Sequence, residues 1–111
     1  MQRFKALYDA GRYWDAHEAL EQLWRATTDA ELAGLYRGMI QVAAAYVHLE
    51  RGNLRGGERL LRKATTNLER CPPTRGGVAG DRLLEQIASC LRSVQAGTTP
   101  APPSLTLTDT Y

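Results

Sequence analysis

Residues 28–52 read TDAELAGLYRGMIQVAAAYVHLERG, and this stretch predicts one long α-helix. Its apolar residues recur every three or four positions, which is the period of an α-helix. The main apolar stripe consists of Leu32, Leu35, Tyr36, Met39, Val42, Ala43, Tyr46 and Val47. Ala44 and Ala45 leave little polar surface on the other sides, so we expect this helix at the centre of a bundle. Thr28 and Glu31 have the spacing of a capping box at its start.

Helical patterns also flank this stretch, and glycine or proline separates each pattern from the next. The flanking helices are expected over residues 4–11, 12–26, 53–70 and 81–97. Asn53 and Asp81 are the expected N-caps of the fourth and fifth helices. We therefore predict an all-α protein, a small antiparallel bundle of about five helices with two hairpin-like units and an extended C-terminal tail.

The same spacing predicts the inward faces of the helices that surround the central one. On the second helix these residues are Tyr13, Ala16, Leu20, Leu23 and Trp24. On the fourth helix they are Leu54, Gly57, Leu61, Ala64 and Leu68. On the fifth helix they are Leu84, Ile87, Ala88, Leu91 and Val94. Gly56 and Gly57 weaken the fourth helix intrinsically, so a neighbouring backbone is expected to pack close there.

The chain divides by composition into two parts. Residues 1–97 are predicted to form the helical bundle domain, and residues 98–111 a Pro/Thr-rich C-terminal tail. The three prolines of the tail prevent a helix there. Leu105 and Leu107 alternate with threonines, so the tail either lies extended across the bundle or is disordered.

The charge of the chain is nearly balanced, with 14 Lys and Arg residues against 12 Asp and Glu residues. A formal charge of +2 does not predict nucleic-acid binding. Arg51, Arg55, Arg59, Arg62 and Lys63 make a basic stretch along one helix, which we interpret as a solvated surface. The N-terminus lacks the apolar segment of a signal peptide, and no apolar run is long enough to span a bilayer. We therefore expect a cytoplasmic protein with no membrane segment.

The two predicted hairpins have a weak sequence similarity to each other. Residues 11–13 align with residues 52–54, and each set follows one helix and precedes another. His17 then falls on Glu58, Glu21 on Arg62 and Trp24 on Thr65. Because the second hairpin does without His, Glu and Trp at these places, hairpin packing alone does not require them. The first hairpin therefore has a requirement of its own.

His17 and Glu21 are the centre of the candidate site. They are four residues apart, so they lie one above the other on the helix surface. Tyr13 lies one turn before them and Trp24 about one turn after. On the third helix a second stripe consists of Arg37, Gln41, Ala44 and His48. If the two helices are antiparallel neighbours, Gln41 or His48 would face the pair. The candidate binding residues are therefore Tyr13, His17, Glu21, Trp24, Gln41 and His48.

Residues 11–24, GRYWDAHEALEQLW, resemble the signature of the bacterial and archaeal family called domain of unknown function 309. Its H-x-x-x-E-x-x-W hallmark is matched by His17, Glu21 and Trp24. The later run over residues 38–53 is similar to the family as well. The resemblance extends from Phe4 to Glu69. It implies a small helical bundle without an established activity, for which metal binding has been suggested from the motif.

Two non-enzymatic interpretations of these residues are open. In the first, a His17–Glu21 hydrogen bond flanked by aromatic side chains satisfies polar groups and fixes the helix pairing. In the second, the hairpins present a groove to a small ligand or a protein partner. An exposed Trp14 would favour this second interpretation. We rank the structural interpretation first and the binding module second.

The third interpretation is a divalent-metal site or a metal-dependent hydrolytic enzyme. His17 and Glu21 would supply two ligands to a divalent metal cofactor, and the third would come from His48, Glu18 or Asp15. For catalysis, His17 would act as general base and Glu21 would orient its ring. The sequence has no nucleophile elbow, phosphate loop or dinucleotide fingerprint, so no catalytic signature supports an enzyme.

Overall fold

The computed structural model describes residues 1–72, 78 and 80–105, and five α-helices make up the elements of this part of the chain. The helices are α1 (Gln2–Asp9), α2 (Tyr13–Ala26), α3 (Ala30–Glu50), α4 (Leu54–Glu69) and α5 (Gly80–Gln95). The prediction of a small all-α bundle is confirmed. Within the described ranges, none of the helices combines the length and the apolar character needed to cross a membrane.

Three of the helices end in the same kind of turn. Gly11, Gly52 and Gly97 follow α1, α3 and α5, and their φ angles are +76°, +78° and +87°. At each turn the glycine N–H bonds to the carbonyl three residues back, and the next N–H bonds to the carbonyl five residues back. This is the Schellman arrangement, whose left-handed position favours glycine because other residues carry a Cβ. The similarity between the two hairpins therefore extends to the geometry of their turns.

Two of the predicted helix caps, Thr28 and Asp81, are wrong. Asp29, not Thr28, caps α3, and its carboxylate accepts the N–H groups of Glu31 and Leu32 at 2.9 and 3.1 Å. The reason is that α3 begins at Ala30, so Thr28 lies one position too early for the cap. Likewise α5 begins at Gly80, which places Asp81 inside its first turn.

α3 lies between α2 and α4, and its buried residues contribute much of the core. These residues are Leu35, Gly38, Met39, Val42, Ala43, Ala45, Tyr46 and Leu49. Gly38 faces Leu68 near the end of α4, whereas Gly57 near the start of α4 faces Leu49. The two helices are therefore antiparallel, and glycine at both contacts lets them approach closely. The expected close packing at Gly57 is confirmed.

Two predicted core positions are exposed instead. Leu23 has 36% of its surface exposed, because α2 has fourteen residues and α1 only eight, so the end of α2 extends past α1. Ala88 is exposed because the inward face of α5 is rotated from the predicted one. The buried residues of α5 are Leu83, Ile87, Cys90 and Val94.

The described part of the tail, residues 98–105, packs against the bundle. Pro103 and Leu105 are buried there. The Tyr8 hydroxyl donates to the Pro103 carbonyl at 2.8 Å, and the Tyr46 hydroxyl lies 3.1 Å from the Ala101 carbonyl. These two bonds tie the tail to α1 and α3. Leu107 lies outside the described residues.

Candidate functional site

The His17–Glu21 pair forms at the edge of α2. The helix places the two side chains one turn apart, and His17 Nε2 lies 3.3 Å from Glu21 Oε1. Their side chains are 18% and 30% exposed, so water reaches both. Glu21 also accepts from Arg25, whose Nη2 lies 3.3 Å from the second carboxylate oxygen. The Glu21 carboxylate therefore contacts both the His17 ring and the Arg25 guanidinium, and the three side chains lie in a row along the surface of α2.

Trp14 covers the other side of the His17 ring. The two rings are stacked, with centroids 5.2 Å apart and planes at 17°. Trp14 itself is 61% exposed. His17 Nδ1 is buried, and it makes no hydrogen bond to any described residue. The His17 ring thus lies between the Trp14 indole, which stacks on its face, and the Glu21 carboxylate, which lies at its edge.

Glu21 and Trp24 form one wall of a cavity between α2 and α3. The cavity has a volume of about 220 Å³, and its other wall consists of Arg37, Ile40 and Gln41. The Arg37 guanidinium lies over the Trp24 ring, 5.6 Å from the centroid, in a cation–π contact. The structure therefore brings the candidate residue Gln41 to the same cavity as Glu21 and Trp24.

Gln41 is oriented from its far side by α4. The Asn67 side-chain amide donates to Gln41 Oε1 at 2.8 Å. With its oxygen held in this way, the Gln41 NH₂ group is the end left to act as a donor. This contact crosses from α3 to α4, and sequence periodicity did not predict it.

His48 is engaged elsewhere. Its Nδ1 accepts from the Asn53 side-chain amide at 3.0 Å, and Asn53 is also the cap of α4. His48 therefore belongs to the turn between α3 and α4 and does not line the cavity of Glu21. The candidate residue Tyr13 is buried in the core, where its ring contacts Tyr8 and Tyr46 at centroid distances of 5.4 and 5.6 Å. Burial, with the nearby Glu50, raises the pKa of Tyr13.

A second cavity lies at the other end of the same two helices. It has a volume of about 260 Å³ and is lined by residues 11–15, Val47, Glu50 and Arg51. Trp14 belongs to this cavity, and Trp24 belongs to the first. We call the surface that joins them the α2–α3 groove. Its residues are Trp14, His17, Glu21 and Trp24 from α2, Arg37, Ile40, Gln41, Val47 and Glu50 from α3, and Arg51.

The described residues do not fit a metal ion at this place. In that part of the chain no three His, Cys, Asp or Glu residues are grouped closely enough to hold one. His17 and Glu21 contribute two donors, and the carboxylate already accepts from Arg25. Of the expected third ligands, His48 bonds to Asn53 and Asp15 pairs with Arg12 at 2.6 Å. A structural or catalytic zinc site needs at least three protein ligands.

A family model described as Domain of unknown function (DUF309) matches residues 1–60, which is more than half of the chain. The chain belongs to this family. The matched part of the DUF309 domain includes α1, α2, α3 and the start of α4, and it therefore contains every residue of the α2–α3 groove. α5 and the tail lie outside the match.

One similar protein comes from Aquifex aeolicus (strain VF5) and bears the name "Uncharacterized protein". It is 26% identical to this DUF309 protein over 93 residues. The aligned region covers 84% of this chain but only 28% of the Aquifex protein, so this chain spans little more than a quarter of that relative. Neither the family description nor this name states an activity.

Proposed function

We propose that this protein is a small interaction module that binds a peptide segment of a partner protein in the α2–α3 groove. The observation that carries the proposal is the exposure of Trp14, which is 61% exposed although other large aromatic residues, such as Phe4 and Tyr46, are buried in the core. Exposed tryptophan is enriched at protein interfaces, where it anchors binding.

The dimensions of the groove suit a short helical segment. Trp14 and Trp24 are ten residues apart, which corresponds to about 15 Å along α2. Each tryptophan borders a shallow cavity, of about 260 and about 220 Å³ respectively. On an amphipathic peptide helix, side chains three turns apart lie on one face and about 15–16 Å from each other, so two apolar anchors at this spacing match the separation of the two cavities.

The His17–Glu21 pair has a defined role in this proposal. His17 holds the Trp14 indole by stacking, Glu21 holds the His17 ring, and Arg37 holds the Trp24 ring. Because immobilised side chains lose less entropy on binding, a groove built in this way is pre-organised. The pair is thus a structural element that positions Trp14. The charges at the rim, from Glu21, Arg25 and Arg37, are of both signs and would select the partner.

Peptide selection tests the proposal directly. Peptides of about 12 residues are selected from a random library on the native protein, and their contacts are mapped by amide chemical-shift changes. We expect the shifts to cluster in the α2–α3 groove and Trp14→Ala to weaken binding at least about tenfold. Leu23→Ala is the matched control, because Leu23 is also exposed on α2 but lies outside the groove, and it should leave affinity unchanged. Shifts that map elsewhere, or equal losses in the two variants, would overturn the proposal.

A further inference from the structure

The outer face of α4 concentrates the positive charge of the molecule. Residues 54–70 carry five of the 14 Lys and Arg residues but only two of the 12 Asp and Glu residues. This stretch therefore has a formal charge of +3, whereas the rest of the chain has −1. The overall charge of +2 conceals this segregation, because the two parts partly cancel. The face lies on a different helix from the α2–α3 groove.

The cations of α4 share one side of the helix. Arg55, Arg59, Arg62 and Lys63 are all exposed, and helical spacing places them within about a third of the circumference. The opposite side of α4 is buried against the core through Leu61, Ala64 and Leu68. Arg70, which follows the helix, continues the same side. The basic face thus extends over about 22 Å from Arg55 to Arg70.

Most of these charges are not neutralised by neighbours. Arg62 pairs with Glu58, with Nη2 and Oε2 3.2 Å apart. Arg55, Arg59 and Lys63 make no salt bridge to any residue within the described ranges. Guanidinium groups bind phosphate oxygens, as they bind carboxylates, through two parallel hydrogen bonds, so an arginine-rich face suits a partner that presents a row of anionic groups.

Two further observations narrow the partner. A lipid surface is normally entered by exposed apolar side chains, but the exposed large apolar residues of the described chain, Trp14 and Leu23, are both on α2. A single nucleic-acid strand is normally bound on aromatic platforms, but α4 contains no aromatic residue. A duplex requires neither, because its phosphate backbone is the outermost surface.

We propose that the basic face of α4 binds the phosphate backbone of a nucleic-acid duplex without reading its sequence. Arg55, Arg59 and Lys63 are the principal contacts, and Arg62 and Arg70 contribute at the edges. Because the proposed contacts are all to phosphate, affinity depends on charge and on salt. The α2–α3 groove stays open to a protein partner while α4 is on the duplex.

Fluorescence anisotropy with labelled DNA and RNA duplexes of about 20 base pairs tests the proposal on the intact protein. Binding should weaken with added KCl, with a slope of log affinity against log salt of about −4. The triple variant Arg55→Gln/Arg59→Gln/Lys63→Gln should lose at least about tenfold in affinity at about 50 mM KCl, and its slope should fall to about −1.

The matched control is Arg3→Gln/Arg82→Gln/Arg92→Gln, which removes the same charge from exposed positions on α1 and α5. We expect it to retain affinity within about threefold, and far-ultraviolet circular dichroism should show both variants folded. Equal losses in the two triple variants would show that net charge alone attracts the duplex and would overturn the proposal. Tighter binding to single strands, or to vesicles of phosphatidylcholine with about one-quarter phosphatidylserine, would overturn it as well.

Discussion

At the scale of single residues, His17 is the most constrained side chain of the site. Trp14 stacks on its face, Glu21 lies at its Nε2, and its Nδ1 is buried. The structure also contains a natural comparison, because Glu58 and Arg62 occupy the equivalent positions of the second hairpin and form a more exposed pair. The two pairs differ in burial but share the same helical spacing.

A double-mutant cycle measures what the His17–Glu21 contact contributes. We expect His17→Leu and Glu21→Met each to destabilise the protein, and the double variant to be nearly as stable as the native protein, because neither polar partner is then left alone. The coupling free energy should be about 1 kcal/mol at neutral pH, measured by urea unfolding. The matched cycle, Glu58→Met and Arg62→Leu, should give about 0.3 kcal/mol, as exposed helix pairs do. Equal coupling in both cycles would contradict a special role for the first pair.

At the scale of helices, the close approach of α3 and α4 depends on glycine. Gly57 faces the Leu49 side chain and the Ala45 carbonyl, whereas Gly34 has as its nearest neighbour the Asn67 carbonyl, 3.8 Å from the place of a Cβ. Both glycines lie inside helices with ordinary φ angles. The same substitution at the two positions therefore separates intrinsic helix preference from packing.

Gly57→Ala and Gly34→Ala should change stability in opposite directions. Alanine favours the helix by about 1 kcal/mol over glycine at either position. At Gly57 the new methyl group overlaps Leu49, which is buried, and overpacking should produce a net loss of about 1–2 kcal/mol. At Gly34 the methyl group meets only an ordinary contact, so a gain of up to about 1 kcal/mol is expected. Thermal unfolding of the two variants measures both; a stabilised Gly57→Ala would show that the helices can separate without loss.

The helices themselves could be predicted, because apolar periodicity and the glycine turns at Gly11 and Gly52 are properties of short segments. The caps were less certain, since whether Thr28 or Asp29 is the cap depends on which residue adopts an extended backbone. The exposure of Leu23 was missed for another reason. It depends on the length of α1 relative to α2, and no pattern within α2 contains that information.

In the candidate site, too, the contacts that could be predicted are those between residues close in sequence. The His17–Glu21 contact is local to one helix, so spacing alone was sufficient to propose it. The orientation of His48 depends on its hydrogen bond with Asn53, and the orientation of Gln41 depends on its hydrogen bond with Asn67 of α4. Helical phase gives the side of α3 on which a residue lies but not the partner that it meets. The stacking of Trp14 on His17 is also local to α2, because the two residues are three positions apart, and it was missed although their spacing allows it.

At the scale of the whole molecule, buried tyrosines connect the helices to the tail. Tyr8 bonds to Pro103, and Tyr46 lies within hydrogen-bond distance of Ala101 and of the Cys90 sulfur. Burial raises the pKa of the Tyr8 and Tyr46 hydroxyls above the ordinary value of 10.0. Both hydroxyls therefore stay protonated in the folded protein at pH values where an unfolded chain ionises.

This shift predicts a loss of stability at alkaline pH. Below pH 10 the tyrosines are protonated in both the folded and the unfolded state, so they do not make stability depend on pH. Above pH 10 they ionise only in the unfolded state, which is thereby favoured. Each tyrosine should lower the free energy of unfolding by about 1.4 kcal/mol per pH unit. Urea unfolding between about pH 8.5 and about pH 11 measures this slope. Tyr8→Phe, which removes one ionising group, should have a shallower slope than the native protein; identical slopes would contradict the assignment.

The bond between Tyr8 and Pro103 also bears on the order in which the chain assembles. The hairpins α1–α2 and α3–α4 join segments that are close in sequence, and local contacts of this kind form early in folding. The Tyr8–Pro103 contact joins residues 95 positions apart, so it closes a long loop whose entropy must be lost before the contact stabilises anything. We therefore expect the tail to dock last, on a bundle that has already formed, and its contacts to slow unfolding rather than to speed folding.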